Sequence, residues 1–166
     1  MTMPLDTADV AASSLPSYSD EQLVELDAEA LVDLLVADED RVPRNVVDAA
    51  ARLGEPMVGA LQSRLAGIDA ETASNGEWWL QYHAAAILGL IASESAGLLL
   101  VELFRVATVD DDDLDDWLSG STPALFANKP ASVIAQLREL SADRSRRFYH
   151  RIEPLDAVLA AALREG

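Results

Sequence analysis

The side chains that could do chemistry in this chain are few and scattered. The chain has no cysteine, which excludes disulfides, thiolate zinc sites and cysteine nucleophiles. Its two histidines, His83 and His150, stand far apart in the sequence and fall in different predicted helices. The sequence contains neither a glycine-rich phosphate loop nor a Gly-x-Ser-x-Gly nucleophile elbow. We therefore predict that the protein is not an enzyme and has no catalytic residue, no cofactor and no metal site.

The densest cluster of one chemical type is the acidic run from Asp110 to Asp116. Alternate aspartates of this run fit the first three ligand positions of an EF-hand calcium loop, namely Asp111, Asp113 and Asp115. The sixth position of that loop should be glycine and the twelfth glutamate, but the chain has Asp116 and Thr122 there. We interpret the run as a solvated turn whose carboxylates favour the N-terminus of the next helix.

One basic patch is predicted near the C-terminus, where Arg144, Arg147 and Arg151 would share a helical face. Guanidinium groups could hold an acidic peptide, a carboxylate or a phosphate there. The alternative is that these arginines pair with the acidic residues of the chain's own surface, which are in excess. The three arginines are candidate partner-binding residues.

An aromatic stripe is predicted on the helix that covers residues 77–91. Trp78 and Tyr82 lie on it at helical spacing, followed by Ala85 and Gly89. Tryptophan and tyrosine are typical anchors of protein interfaces, which makes Trp78 and Tyr82 candidate partner-binding residues. The alternative is internal packing, because the small residues would let a neighbouring helix come close. His83 borders the core stripe and is expected to be a hydrogen-bonded boundary residue.

The charge of the chain restricts its partners. It carries 29 acidic and 12 basic residues, for a net charge of -17, and the first 83 residues alone carry -12. Phosphate recognition needs concentrated lysine and arginine, so we predict no binding to nucleic acid. The negative field would attract a basic partner over a long range, although salt adaptation would also explain it. The predicted partner is another protein, with a basic protein as one candidate, and the oligomeric state is left open.

One apolar stretch could be mistaken for a membrane span. Residues 84–101 carry a single charge, Glu94, at the middle of the stretch, where a charge is most costly in a bilayer. No basic cluster flanks it, and the N-terminus lacks the pattern of a secretory signal. We predict a cytoplasmic protein that does not bind a membrane.

Short helices must position these side chains. Apolar residues recur at helical spacing in segments of 10–15 residues that glycine and proline separate, which predicts an all-α chain. Residues 1–17 are predicted to form a flexible tail and 18–166 one helical domain. The expected boundaries include a capping box at Ser19, a stop at Gly54, a loop over 68–76, and two final helices over 144–152 and 154–165.

An internal repeat gives the strongest indication of the architecture. The segment AAARLG at 49–54 matches AAAILG at 84–89 with an offset of 35 residues, and the helices that follow align with an offset of 38. In these segments the chain resembles the HEAT-like short α-helical repeats of phycobilin-lyase-related and many uncharacterised bacterial proteins. The resemblance implies an α-α superhelix, a right-handed armadillo-type solenoid of about four helical hairpins.

Such repeats present an extended surface to partners. The predicted function is accordingly a non-catalytic protein–protein interaction module with a regulatory or scaffold role. The alternative is an acidic inhibitor, of the immunity type or a nucleic-acid mimic, which binds a basic partner protein. In that alternative the acidic residues between Asp20 and Asp40 would form one ridge along the first helices.

Overall fold

The structure is a computed structural model that describes residues 15–69, 72–110 and 118–165. All regular secondary structure in these ranges is helical, which confirms the all-α class. The described helices are α1 (Asp20–Val24), α2 (Ala28–Asp38), α3 (Arg44–Arg52), α4 (Glu55–Leu65), α5 (Asn75–Leu90), α6 (Glu94–Asp110), α7 (Thr122–Leu125), α8 (Ala131–Ala142) and α9 (Tyr149–Glu165). A 3-10 turn, Glu39–Arg41, follows α2 directly. The predicted tail up to residue 14 and the acidic run beyond Asp110 lie outside the described residues.

Local sequence signals set where the first helices begin. The predicted capping box is present at α1, where the Gln22 amide donates to Ser19 Oγ at 3.2 Å and the Ser19 amide donates to Gln22 Oε1 at 2.8 Å. Asp27 caps α2 by accepting a hydrogen bond from the Ala30 amide at 2.9 Å. Each cap satisfies amides that a helix leaves without an internal partner.

The start of α5 differs from the prediction. The loop was expected to run through Gly76, but α5 begins at Asn75. A second capping box explains the difference: the Glu77 amide donates to Ser74 Oγ, and the Glu77 carboxylate accepts from the Ser74 amide at 2.9 Å. Gly76 therefore lies inside the helix, where a Cβ atom would collide with the carbonyl oxygen of Val36 on α2.

The corner between α3 and α4 follows the sequence closely. Gly54 has a φ of 63°, a left-handed conformation that glycine adopts with little strain, and it ends α3 as predicted. Pro56 lies in the first turn of α4, where its missing amide hydrogen costs no helical hydrogen bond.

The described helices form two rows, because each packs against the one two places further along among them. In the odd row α1 packs on α3, α3 on α5, α5 on α7 and α7 on α9. In the even row α2 packs on α4, α4 on α6 and α6 on α8. The rows meet where α5 contacts α2 and α6 and where α9 contacts α8. The predicted core stripe of α5 is buried at this junction, as expected: Leu80, Ala84, Ile87, Leu88 and Ile91.

The C-terminal part corrects the prediction of two final helices. Tyr149–Glu165 is one continuous helix with Pro154 inside it. Proline removes one helical hydrogen bond, but α9 packs along both α8 and α7, and this burial keeps the helix continuous.

No helix in the described part of the chain has the length and apolar character needed to cross a membrane.

Candidate partner-binding site

An open pocket of about 480 Å³ lies between α3, α5 and the 3-10 turn. We call it the aromatic pocket. Its lining combines aromatic rings with a carboxylate, a guanidinium and an imidazole: Asp40, Val42, Arg44, Val47, Trp79, Tyr82, His83 and Ala86. Pockets that join apolar walls to a few converging polar groups are the usual sites of ligand recognition.

Helix α5 supplies the aromatic wall of the pocket. Trp79, Tyr82, His83 and Ala86 follow the spacing i, i+3, i+4 and i+7, which places them on one helical face. The Trp79 ring stacks on the His83 ring at 6.1 Å and meets the Tyr82 ring edge-on at 5.9 Å. Trp79 is therefore the centre of the aromatic cluster.

His83 joins this wall to the 3-10 turn. It is 7% exposed, and its Nε2 lies 2.7 Å from the carbonyl oxygen of Glu39. A carbonyl oxygen can only accept, so Nε2 carries the hydrogen. Burial lowers the pKa of His83, and the Glu39 carbonyl and the Asp40 charge oppose that shift only in part. The imidazole is thus neutral at neutral pH, and the prediction of a hydrogen-bonded boundary histidine is confirmed.

The turn that carries Asp40 is strained. Glu39 has a φ of 54°, which residues with a Cβ rarely adopt and which costs on the order of 1 kcal/mol or more. Two groups of α5 hold it: His83 binds its carbonyl oxygen, and Asn75 Nδ2 donates to its carboxylate at 2.8 Å. These bonds fix Asp40 at the rim of the pocket, and strain held by neighbouring structure is typical of functional positions.

The lining holds one carboxylate, Asp40, and one guanidinium, Arg44. The Arg44 guanidinium donates to the Asp48 carboxylate, which lies outside the lining, at 2.8 Å in a solvent-exposed ion pair. The Asp40 carboxylate is exposed, and the His83 imidazole beside it is neutral. Asp40 is therefore the carboxylate that a ligand in the pocket would meet.

The two aromatic residues predicted from the sequence have different environments. Both Trp78 and Tyr82 pack against the hydrophobic core, but only Tyr82 also lines the pocket. Sequence reasoning missed Trp79, although the Trp79, Tyr82, His83 spacing was a usable signal. The small residues of the stripe do bring a helix close, because a Cβ atom on Gly89 would lie 2.7 Å from Leu125 of α7.

The prediction that Arg144, Arg147 and Arg151 share one helical face is wrong. Arg144 and Arg147 lie in the turn before α9, and only Arg151 is on that helix. Asp143 causes the difference, since its carboxylate accepts from the Ser145 amide at 2.9 Å and stabilises a turn in place of a helix. Arg151 Nε donates to the Ser141 carbonyl at 2.9 Å, which binds α9 to the end of α8.

The acids of the predicted ridge are divided between two helices. α1 ends at Val24, and α2 begins at Ala28 after the Asp27 cap. Asp27 is a helix cap, and the buried Asp38 accepts a hydrogen bond from the Tyr18 hydroxyl at 2.8 Å. Asp38 is therefore withdrawn from the acidic surface, whereas the capping residue Asp27 is exposed.

Two other surfaces lack the aromatic and charged combination of the aromatic pocket. A groove of about 450 Å³ between α4 and α6 is lined mainly by apolar and amide side chains, with Glu102 at its edge. On α9, Leu155, Leu159 and Leu163 are exposed at helical spacing.

Among the described residues, no group of three or more histidine, aspartate or glutamate side chains could hold a metal ion.

No protein-family model matches the chain, and comparison with curated proteins and with solved structures found no significant similarity.

Proposed function

We propose that this chain is a non-catalytic protein–protein interaction module built as a HEAT-like α-α superhelix. The two rows support this architecture, because in helical repeats equivalent helices of successive hairpins stack on one another. The repeated segments fall in α3 and α5, which are neighbours in the odd row. Their following helices are neighbours in the even row, where Ser95 Oγ at the start of α6 donates to the Glu55 carboxylate at the start of α4.

The aromatic pocket is the observation that carries the proposal of binding. Trp79 and Tyr82 are half-buried on one face of α5, with a polar rim at Asp40. Aromatic side chains in partly desolvated depressions are enriched among the residues that dominate binding energy. We infer that a partner protein inserts a side chain between Trp79 and the 3-10 turn.

Alanine variants of the pocket test the proposal. The partner is captured from the source cell on immobilised chain, and binding by Trp79→Ala and Tyr82→Ala is compared with that by the unmodified chain. Phe148→Ala is the matched control, because Phe148 is 65% exposed and lies outside the pocket. We expect the pocket variants to lose at least tenfold in affinity, an ordinary loss for an aromatic anchor. Equal binding by Trp79→Ala and Phe148→Ala, with both variants folded, would refute the proposal.

An acidic inhibitor of a basic protein is the second candidate function. The exposed acids of the first helices favour it, among them Asp20, Glu21 and Glu29. Salt separates the two candidates, because exposed charges are screened and buried aromatic contacts are not. At high salt, what binding remains to a module anchored by the aromatic pocket should still depend on Trp79, whereas an inhibitor that depends on the acidic surface should lose its partner steeply and show no dependence on Trp79.

A further inference from the structure

We propose that the aromatic pocket binds a cationic side chain, the arginine or lysine of a basic protein segment. This inference rests on the proposed function, since it names the group that a partner would insert.

The aromatic wall supplies the first part of the recognition. The faces of tryptophan and tyrosine rings carry partial negative charge and attract a guanidinium or an ammonium group placed over them. Trp79 and Tyr82 meet edge to face, with an interplanar angle of 90°. Both rings line the cavity, so a cationic group in it would lie against them.

Asp40 supplies the second part. It faces the cavity from the 3-10 turn, which hydrogen bonds from Asn75 and His83 hold against α5. A ligand without a hydrogen-bond donor would desolvate this carboxylate without giving it a partner, and a neutral donor would bind it more weakly than a cation would. A guanidinium group would bind the carboxylate directly with charge-assisted hydrogen bonds.

The other polar groups of the pocket do not favour an anion. Arg44 is the cation of the lining, and its guanidinium is already bound to Asp48. His83 is neutral and uses Nε2 for the Glu39 carbonyl oxygen. An anionic ligand would compete with Asp48 for the Arg44 guanidinium and would be repelled by Asp40. The net charge of -17 also draws basic segments toward the chain over a long range.

Short peptides test the inference directly. The probes are acetyl-Gly-Arg-Gly-amide, its lysine analogue, and a citrulline analogue that has nearly the shape of arginine but no charge. Each is titrated into the isotope-labelled chain, and the indole N–H resonance of Trp79 reports binding. We expect the arginine peptide to shift this resonance saturably and to bind about fivefold or more tightly than the citrulline peptide.

Two charge variants separate the local carboxylate from the overall field. Asp40→Asn and Asp156→Asn each remove one negative charge, but Asp156 is exposed on α9, away from the lining of the pocket. We expect Asp40→Asn to weaken arginine binding about fivefold and to remove most of the preference over citrulline, and Asp156→Asn to leave both unchanged. Equal binding of arginine and citrulline, or equal effects of the two variants, would overturn the inference.

The outcomes also distinguish this inference from the proposed function. If Trp79→Ala abolishes partner capture while arginine and citrulline bind equally, the pocket is an interface but not a cation site, and the inference alone is wrong. If the arginine preference is present while Trp79→Ala captures the partner normally, the proposed function is wrong and the cation site stands.

Discussion

Replacing Lys129 by methionine should destabilise the protein at the end of the helix that carries the aromatic pocket. Lys129 is the only lysine of the chain, and it is buried. Its Nζ donates to the carbonyl oxygens of Leu88 at 2.9 Å, Gly89 at 3.1 Å and Ile91 at 2.6 Å. The neighbouring Asn128 donates to the Leu90 carbonyl at 3.2 Å. Together the two residues satisfy the carbonyl groups that end α5, which have no internal helical partner.

The size of the effect follows from these hydrogen bonds. A hydrogen bond to a charged group contributes about 1.5–3 kcal/mol, and a buried acceptor left without a partner costs about 1–3 kcal/mol. Burial of the ammonium group offsets part of this gain, and it lowers the pKa of Lys129 to about 8. The ammonium form still predominates at neutral pH. We expect Lys129→Met to lose about 2–4 kcal/mol, because methionine retains the apolar stem but donates no hydrogen bond.

The assay is urea denaturation at neutral pH, followed by far-ultraviolet circular dichroism. Arg138→Met is the control, since it removes the same charge from an exposed position on α8 and should change the free energy of unfolding by less than about 0.5 kcal/mol. The thermal midpoint of Lys129→Met should fall by roughly 5–15 °C for a chain of this size. Equal stability of the two variants would refute the assignment of Lys129 as the cap of α5.

Three further changes test the packing around α5. Because burial lowers the pKa of His83 from its ordinary value of 6.5, the unfolded chain takes up this proton first as the pH falls. The unmodified chain should therefore lose stability below about pH 6.5 relative to His83→Gln, and parallel pH profiles of denaturation would contradict this. Gly76→Ala should lower the free energy of unfolding by about 1–3 kcal/mol, because the new methyl group meets the backbone of α2. Gly59→Ala is the control: it adds a methyl group on the open surface of α4 and should raise the free energy of unfolding by about 0.5–1 kcal/mol. A stabilising Gly76→Ala would contradict the close packing of α5 on α2. Leu88→Ala should lower the free energy of unfolding by about 2–5 kcal/mol, because Leu88 is 0% exposed. Leu90→Ala should lower it by less than about 1 kcal/mol, because Leu90 is 44% exposed. Similar losses for the two variants would show that the core stripe of α5 is misplaced.

Short-range features of the fold were predictable because each depends on residues within one or two turns. The capping box at Ser19, the left-handed stop at Gly54 and the buried stripe of α5 involve neighbours that are close in the chain whatever the tertiary structure. Where a local prediction was wrong, another interaction outweighed the pattern. Asp143 stabilised a turn through Ser145, and packing on α7 and α8 kept α9 continuous through Pro154.

The candidate site could be predicted only in part. Tyr82 was identifiable from the aromatic spacing on α5, but the choice of Trp79 over Trp78 as the pocket residue depended on which face of the helix the core covers. Asp40 carried no sequence signal of its own, since it was one acid among the many of the first half.

Tertiary structure decided the remaining features because they join residues that are distant in the chain. His83 binds the carbonyl oxygen of Glu39 from 44 residues away, and this contact holds the turn that carries Asp40 against α5. Lys129 reaches the end of α5 across 38 to 41 residues. The amino-acid sequence determined the helices, their caps and their apolar faces, since these depend on periodicity and local hydrogen bonds. The pocket and the lysine cap depend on how the two rows pack, and that packing alone brings a strained turn, an aromatic face and a buried ammonium group to the same helix.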